Sequence, residues 1–358
     1  MRIAHVTDCY LPRLGGIEVQ VRTTALAQVA RGDQVTVITA TPGESDADAG
    51  VDVIRLSAHL PFETPVHPRG VQLIRDALQT QKPDIVHIHA GVVSPFAWMG
   101  IKAARGLPTV VTIHSMWGPL AQRGFSLAIN DDHGFVLTAV SRAAAETISM
   151  SLDEQVLVTP NAVDPEPWQV LAPLPHDGIR IAATLRFAPR KRVMALLRSL
   201  RDARRWIPAD IRMSATIAGD GPLLSQAQRF IEREQLDWIS LPGRMTRDEL
   251  LQVYREADMF VQPTIRESFG LAALEARSAG LPVIGYAGSG LSEFITDGVN
   301  GLLVNGDAGM SAAIRRLATD DLLRRRLAAF NRENPPIHTW EYALRALDAA
   351  YETARFHR

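Results

Sequence analysis

Two glutamates eight residues apart, Glu267 and Glu275, bracket the segment ESFGLAALE. That spacing is a little over two turns at about 3.6 residues per turn, so a helix there would set both carboxylates on nearly one face. Carboxylates accept hydrogen bonds from hydroxyls, and a pair of them suits a polyol. Between them the backbone N–H groups of Phe269, Gly270 and Leu271 fall at the helix start. There the first turn has no internal acceptor and the dipole favours an anion. Upstream, in LRFAPRKRV, Arg186 and Lys191 flank a short loop. A guanidinium fork and an ammonium point charge at a strand-to-helix junction can neutralise a diphosphate. Phosphate donors beside hydroxyl-binding acids point to a nucleotide that carries a sugar. Taken alone, the acids would serve as well as one cap and one solvated charge, and the cations as a basic helix start.

These groups need strands to deliver them. Short apolar runs at 259–261, 282–286 and 301–304 have the length of buried parallel strands. A helix is expected over 268–279, closed by Gly280 and stopped by Pro282. The same alternation runs through the chain. Strands are expected at 2–7, 34–40, 51–56, 83–89, 107–114, 135–140, 155–160, 179–184, 211–218 and 238–241, with helices at 16–30, 71–81 and 141–151 among them. Strands alternating with helices give an α/β architecture, in which ligands sit at the carboxyl ends of the strands. At 358 residues, two domains of roughly 150–190 residues are the natural division. The prolines between Asp164 and Gly178 argue for a linker, with domains at 1–170 and 171–336 and a terminal helix at 337–358.

The ordered text Glu267-Ser-Phe-Gly-Leu-Ala-Ala-Leu-Glu275, followed by AGLPVI, SGLSE and DGVNGLLV, resembles the retaining glycosyltransferases of family 4. The resemblance extends through nearly the whole chain. It implies the GT-B fold, two Rossmann-like doubly wound domains facing a central cleft, with a C-terminal helix that crosses back to the N-terminal domain. It implies metal-independent, retaining transfer of a hexose from a nucleoside-diphosphate sugar, GDP-mannose or a UDP-hexose, to a hydroxyl of a glycan, lipid or small molecule. A non-catalytic nucleotide- or glycan-binding relative and a nucleotide-sugar epimerase of the same fold are the alternatives.

Residue by residue, the resemblance implies a GG-x-E loop at Gly15, Gly16 and Glu18 that faces the donor phosphate and the acceptor. It implies a sugar-contacting histidine at His114, in the T-x-H segment that ends a strand. Arg186 and Lys191 would bind the diphosphate, although Leu185 and Arg192 stand where the family usually has glycine and Arg190 crowds the match. Gly219 opens the family-like turn GDGPL, and Arg244 lies where a base is approached. Glu267 would hold sugar hydroxyls, Glu275 the ribose hydroxyls, and Phe269, Gly270 and Leu271 the phosphate.

Other features bound the chemistry. A net charge of −1 and a pI near 6.8 provide no global field for nucleic acid. The single cysteine, Cys9, fits a reducing cytosol, and the strand that begins at once leaves no signal peptide. A cytoplasmic location is expected. Peripheral contact with the inner face of the membrane stays open, as do the monomer and the homodimer. No metal or other cofactor is expected. Asp46 and Asp48 form a D-x-D within a polar loop and read as solvated, and His87 and His89 share a strand face without a carboxylate or thiol nearby to complete a metal shell. His89 also ends its strand and is a weaker pocket residue. The loop around Leu60, Phe62 and Val66 and the segment after His114 read as surface, with an acceptor role open. The stripe Trp340, Leu344, Leu347 and Tyr351 reads as core packing.

Overall fold

The computed structural model describes residues 1–13, 15–43, 48–57, 67–118, 134–152, 155–169, 174 and 176–356. The segments around Asp46, Leu60, Phe62 and Val66, and the one following His114 from residue 119, lie outside the described residues. The chain divides into two compact units, Met1–Ala162 with Trp340–Arg358, and Val163–Thr339. The boundary thus falls at Ala162, ahead of residue 170. Within the proline stretch, two described residues are tied down: Trp168 is buried against Tyr254, ring centroids 5.3 Å apart, and the Leu174 amide donates to the Arg255 carbonyl at 3.0 Å.

The first unit carries strands β1 (Arg2–Thr7), β2 (Gln34–Thr39), β3 (Asp52–Arg55), β4 (Ile85–Ala90), β5 (Thr109–Ile113), β6 (Val136–Ala139) and β7 (Leu157–Val158), in the order β3-β2-β1-β4-β5-β6-β7. All pairs are parallel. Strand side chains alternate faces with period two. On one face Ala4, Val6, Val86, Ile88 and Val111 meet the helices Gly70–Gln81, Pro95–Ala103 and Arg142–Leu152. On the other, Ile3, Ile85, Val110 and Val136 pack on Leu347, Ala350, Tyr351 and Ala354 of the terminal helix Trp340–Phe356. Val35 and Val37 on that face meet Val21 and Ala25 of the helix Gly16–Ala30.

The second unit holds β8 (Ile179–Thr184), β9 (Met213–Ala218), β10 (Ile239–Ser240), β11 (Met259–Val261), β12 (Val283–Tyr286) and β13 (Gly301–Val304), in the parallel order β10-β9-β8-β11-β12-β13. Its core joins Ile181, Ala183, Ile217, Val261 and Ile284 to Leu196, Leu200, Ile314 and Leu317 of the flanking helices. The strand order reverses between β8 and β11. At such a switch point the loops leaving two adjacent strands diverge and open a crevice at their carboxyl ends. The loop after β8 carries Arg186 and Lys191, and the loop after β11 carries Glu267. Among the described residues, no helix is long and apolar enough to cross a membrane.

Candidate functional site

Three backbone ties fix the loop after β8. Leu185 N–H donates to the Ala218 carbonyl at 3.1 Å, Phe187 N–H to Asp220 at 2.8 Å, and Leu223 N–H to Phe187 at 2.9 Å. The approach is close enough to require glycine: Gly219 sits at φ +136°, and a Cβ there would run into the Leu185 carbonyl. Gly219 therefore shapes the cation-bearing loop, which then turns through Pro189–Lys191 and points the Lys191 side chain across the switch point.

Lys191 Nζ meets Glu267 Oε2 at 2.7 Å, and Gln262 Nε2 donates to the same oxygen at 3.0 Å. Glu267 is 6% exposed, so its charge needs both partners. Gln262 follows β11 directly, and its own Oε1 is buried without a partner among the described residues. The sequence reading passed over this residue. Its signal was a polar side chain closing an apolar strand at the sheet's carboxyl edge.

Glu267 and Glu275 do not share a helix. Gly270 adopts φ 95° and ψ 59°, which breaks any helix through it, and the helix spans Leu271–Ser278. Glu267 is instead held in the preceding turn, where its carbonyl accepts the Gly290 N–H at 2.7 Å. The N-cap residue Gly270 offers no side-chain cap, and the first turn is free of acidic residues, so the first-turn amides keep their anion-binding character. Phe269 contributes backbone alone to such a site. Its ring is buried between Phe294 and His338, with centroids at 5.5 and 5.6 Å.

Glu275 lies in the second turn of the helix, half-buried. Its carboxylate makes no hydrogen bond or ion pair among the described residues. Desolvation raises its pKa to about 7, and the charge of Arg247 opposes the rise. A partnerless acid with a perturbed pKa at the edge of a switch point has the character of a ligand-binding group. Arg186 and Arg244 are exposed and unpaired among the described residues. Arg192 is committed elsewhere: it holds the left-handed conformation, φ 63°, pairs with Asp307 and stacks on Tyr286 at 5.9 Å. Of the crowded cations, Arg186 and Lys191 remain the ones available to an anion, together with the exposed Arg190.

In the first unit, Gly15 is extended at φ −168° and precedes the helix Gly16–Ala30. The Glu18 carboxylate folds back over Gly15, where a Cβ would collide with it, and it lies 3.6 Å from Arg13. Gly16 has open space around it. His114 follows β5, its N–H donating to Ala90 at 2.9 Å, and its Nε2 lies 2.9 Å from His89 Nδ1. His89 is buried inside a polar chain. Asp48 is partly buried and paired instead of fully solvated: Arg22 grips it at 2.6 and 2.9 Å and Tyr10 donates to it at 3.0 Å. The rings of His5, His87 and His89 come close enough for their nitrogens to share an ion. Each of those nitrogens is instead hydrogen-bonded to a protein group.

Known proteins resemble this chain in sequence and in fold. Residues 172–334 match the family described as glycosyl transferases group 1, and residues 14–167 match glycosyltransferase family 4. The D-inositol 3-phosphate glycosyltransferase of Mycolicibacterium smegmatis is 28% identical, over 95% of this chain and 86% of its own length. Among solved structures, Anabaena HepE in complex with UDP and glucose superposes with a TM-score of 0.78 at 16% identity, covering 98% of this chain and 99% of HepE. Sucrose-phosphate synthase from Thermosynechococcus elongatus gives 0.79 at 20% identity, covering 98% of each chain. The fold is that of the GT-B glycosyltransferases, and the chain belongs to the group 1 glycosyltransferases, with a family 4 region forming its N-terminal half.

Proposed function

We propose that the protein transfers a hexose from a nucleoside-diphosphate sugar to an acceptor hydroxyl, with retention at the anomeric carbon and without a metal. The observation that carries the proposal is the Lys191–Glu267–Gln262 cluster at the β8/β11 switch point, beside a helix start whose N-cap is a glycine. As the glycosidic bond breaks, negative charge grows on the departing diphosphate. Preorganised donors aimed at that charge lower the barrier most. Lys191, Arg186 and the amides of Gly270 and Leu271 are assigned that work. The ammonium that now balances Glu267 would then be shared with phosphate. Glu267 and Gln262 are assigned to sugar hydroxyls and Glu275 to the ribose, its partnerless carboxylate able to accept two hydroxyl protons. By resemblance His114 is assigned to the transferred sugar, Gly15 and Gly16 to the donor phosphate, and Arg244 to the base. We assign no covalent nucleophile, in keeping with departure and attack on one face of the sugar.

A UDP-hexose is favoured by the likeness to HepE, and an inositol phosphate is one acceptor to try in view of the Mycolicibacterium relative. The test is a thermal-shift screen of UDP, GDP, ADP and their sugars, followed by a transfer assay with the stabilising donor in EDTA. A ligand that binds only the native state at a hundredfold excess over its Kd stabilises by about 2.7 kcal/mol, a resolvable shift. Transfer that survives EDTA with the anomeric configuration kept is expected. Abolition by EDTA, or inversion, would contradict the proposal.

A further inference from the structure

Beneath the terminal helix the first unit buries a continuous polar chain. His114 Nε2 lies 2.9 Å from His89 Nδ1, His89 Nε2 lies 2.8 Å from His5 Nδ1, and His5 Nε2 lies 2.7 Å from Gln28 Oε1. Beyond Gln28, its Nε2 donates to Tyr351 Oη at 2.9 Å, Tyr351 meets His87 Nδ1 at 2.8 Å, and His87 Nε2 meets Thr112 Oγ1 at 2.7 Å. The four histidines are between 0 and 9% exposed. Burial pulls His5 and His114 down to about 4 and holds His87 and His89 well below the ordinary histidine range, so all four rings are neutral near pH 7.

A neutral imidazole has one donor and one acceptor, so each bond in such a chain dictates the next. The Gln28 carbonyl oxygen only accepts, so His5 carries its proton on Nε2 and accepts at Nδ1. His89 must then donate from Nε2 and accept at Nδ1, and His114 must donate from Nε2. On the other branch the Gln28 amide donates to Tyr351, whose single proton goes to His87 Nδ1, and His87 donates from Nε2 to Thr112.

We propose that Gln28, acting through His5 and His89, fixes His114 as the Nε2-protonated tautomer and so makes its Nδ1 an obligatory acceptor. Whatever meets Nδ1 must donate a proton: a sugar hydroxyl qualifies, and a phosphate or carboxylate oxygen is repelled. The hydroxyl assignment rests on the transferase reading above; the tautomer does not. Gln28, His5 and His89 are positioning residues. Turning the Gln28 amide over would reverse every bond of the chain together, so one side chain on the helix Gly16–Ala30 sets what His114 offers at the end of β5.

The test uses the full chain with histidine labelled by ¹⁵N and a long-range ¹H–¹⁵N correlation at pH 7.5, with no ligand added. The expected spectrum shows His5, His87, His89 and His114 neutral and protonated on Nε2. In Gln28→Met the constraint is gone, and His5, His89 and His114 are expected to lose their pure Nε2 signature together. A wild-type spectrum with any of the four protonated on Nδ1 or doubly protonated overturns the proposal, and so does a Gln28→Met spectrum in which His114 is unchanged. The wild-type result decides the tautomer even if the variant fails to fold. A spectrum as expected from a protein that transfers no sugar supports the tautomer and defeats the transferase reading instead.

Discussion

Lys191 and Glu267 form a pair whose strength depends on what else is present. With 6% exposure, Glu267 is held by Lys191 and Gln262, so removing the lysine costs both the transition-state charge and the anchor of the acid. Lys191→Met is expected to lower kcat by about 10²–10³, the usual loss for one preorganised donor, with a smaller change in donor Kd. Equal kcat for variant and wild type would remove Lys191 from the mechanism. Glu275 makes a different prediction. With a pKa of about 7 its carboxylate is ionised above that pH and protonated below it, and the ionised form is the better acceptor of ribose hydroxyls. Donor affinity measured by calorimetry should be flat above pH 7 and fall below it by up to about tenfold per pH unit, the limit for one proton. In Glu275→Gln the profile should be flat and the affinity lower throughout. A wild-type profile matching that of the glutamine variant would contradict the assignment.

At the scale of elements, the glycines separate scaffold from site. Gly219→Ala forces a side chain into φ +136° and onto the Leu185 carbonyl, so it should destabilise the second unit by more than about 2 kcal/mol, visible as a lowered Tm. Gly16 has room for a Cβ and an ordinary φ, so Gly16→Ala should leave Tm within a degree or two, and any loss of activity there is an effect on the site. A stable Gly219→Ala would show that the β8 loop has slack that its close contacts deny.

The same contrast explains what could be read in advance. Strands and most helices were legible because buried parallel strands are short β-branched runs and glycine or proline ends the helices. The helix after Glu267 was placed three residues early because the pattern of apolar positions that marks it does not reveal the left-handed Gly270 at its start. The Gln28 chain escaped because its partners lie on other strands and on the last helix, a relation fixed by sheet register and absent from local sequence, and Gln262 escaped because a lone polar residue after a short apolar run carries no motif. Tyr351 appeared as one member of an apolar stripe, yet its hydroxyl ties Gln28 to His87. Arg192 looked like a broken motif; its left-handed φ shows a position that favours glycine filled by a cation paired with Asp307.

Across the whole molecule the two units should respond oppositely to acid. Among the described residues of the first, four buried histidines have pKa values below their unfolded value of about 6.5, against one aspartate, Asp8, raised to about 7. The unfolded first unit therefore binds more protons between pH 7 and pH 5, and its stability falls as pH falls through that window. In the second unit burial raises Glu275 to about 7, so it binds more protons in that window when folded, and burial shifts Asp258 in the same direction. Acidification from pH 7 to 5 should loosen the first sheet and leave the second unchanged or firmer. Hydrogen exchange by peptide, corrected for intrinsic rate, checks this, and faster opening of β8–β13 at pH 5 would contradict it.

The central claim is that the β8/β11 switch point receives the diphosphate of a sugar nucleotide. A crystal of the protein grown with the donor that stabilises it most tests this directly. The expected map places the diphosphate against Lys191, Arg186 and the Leu271 amide, with the ribose hydroxyls on Glu275. A nucleotide bound elsewhere on the chain, or one whose phosphates leave the Lys191–Glu267 pair untouched, would contradict it.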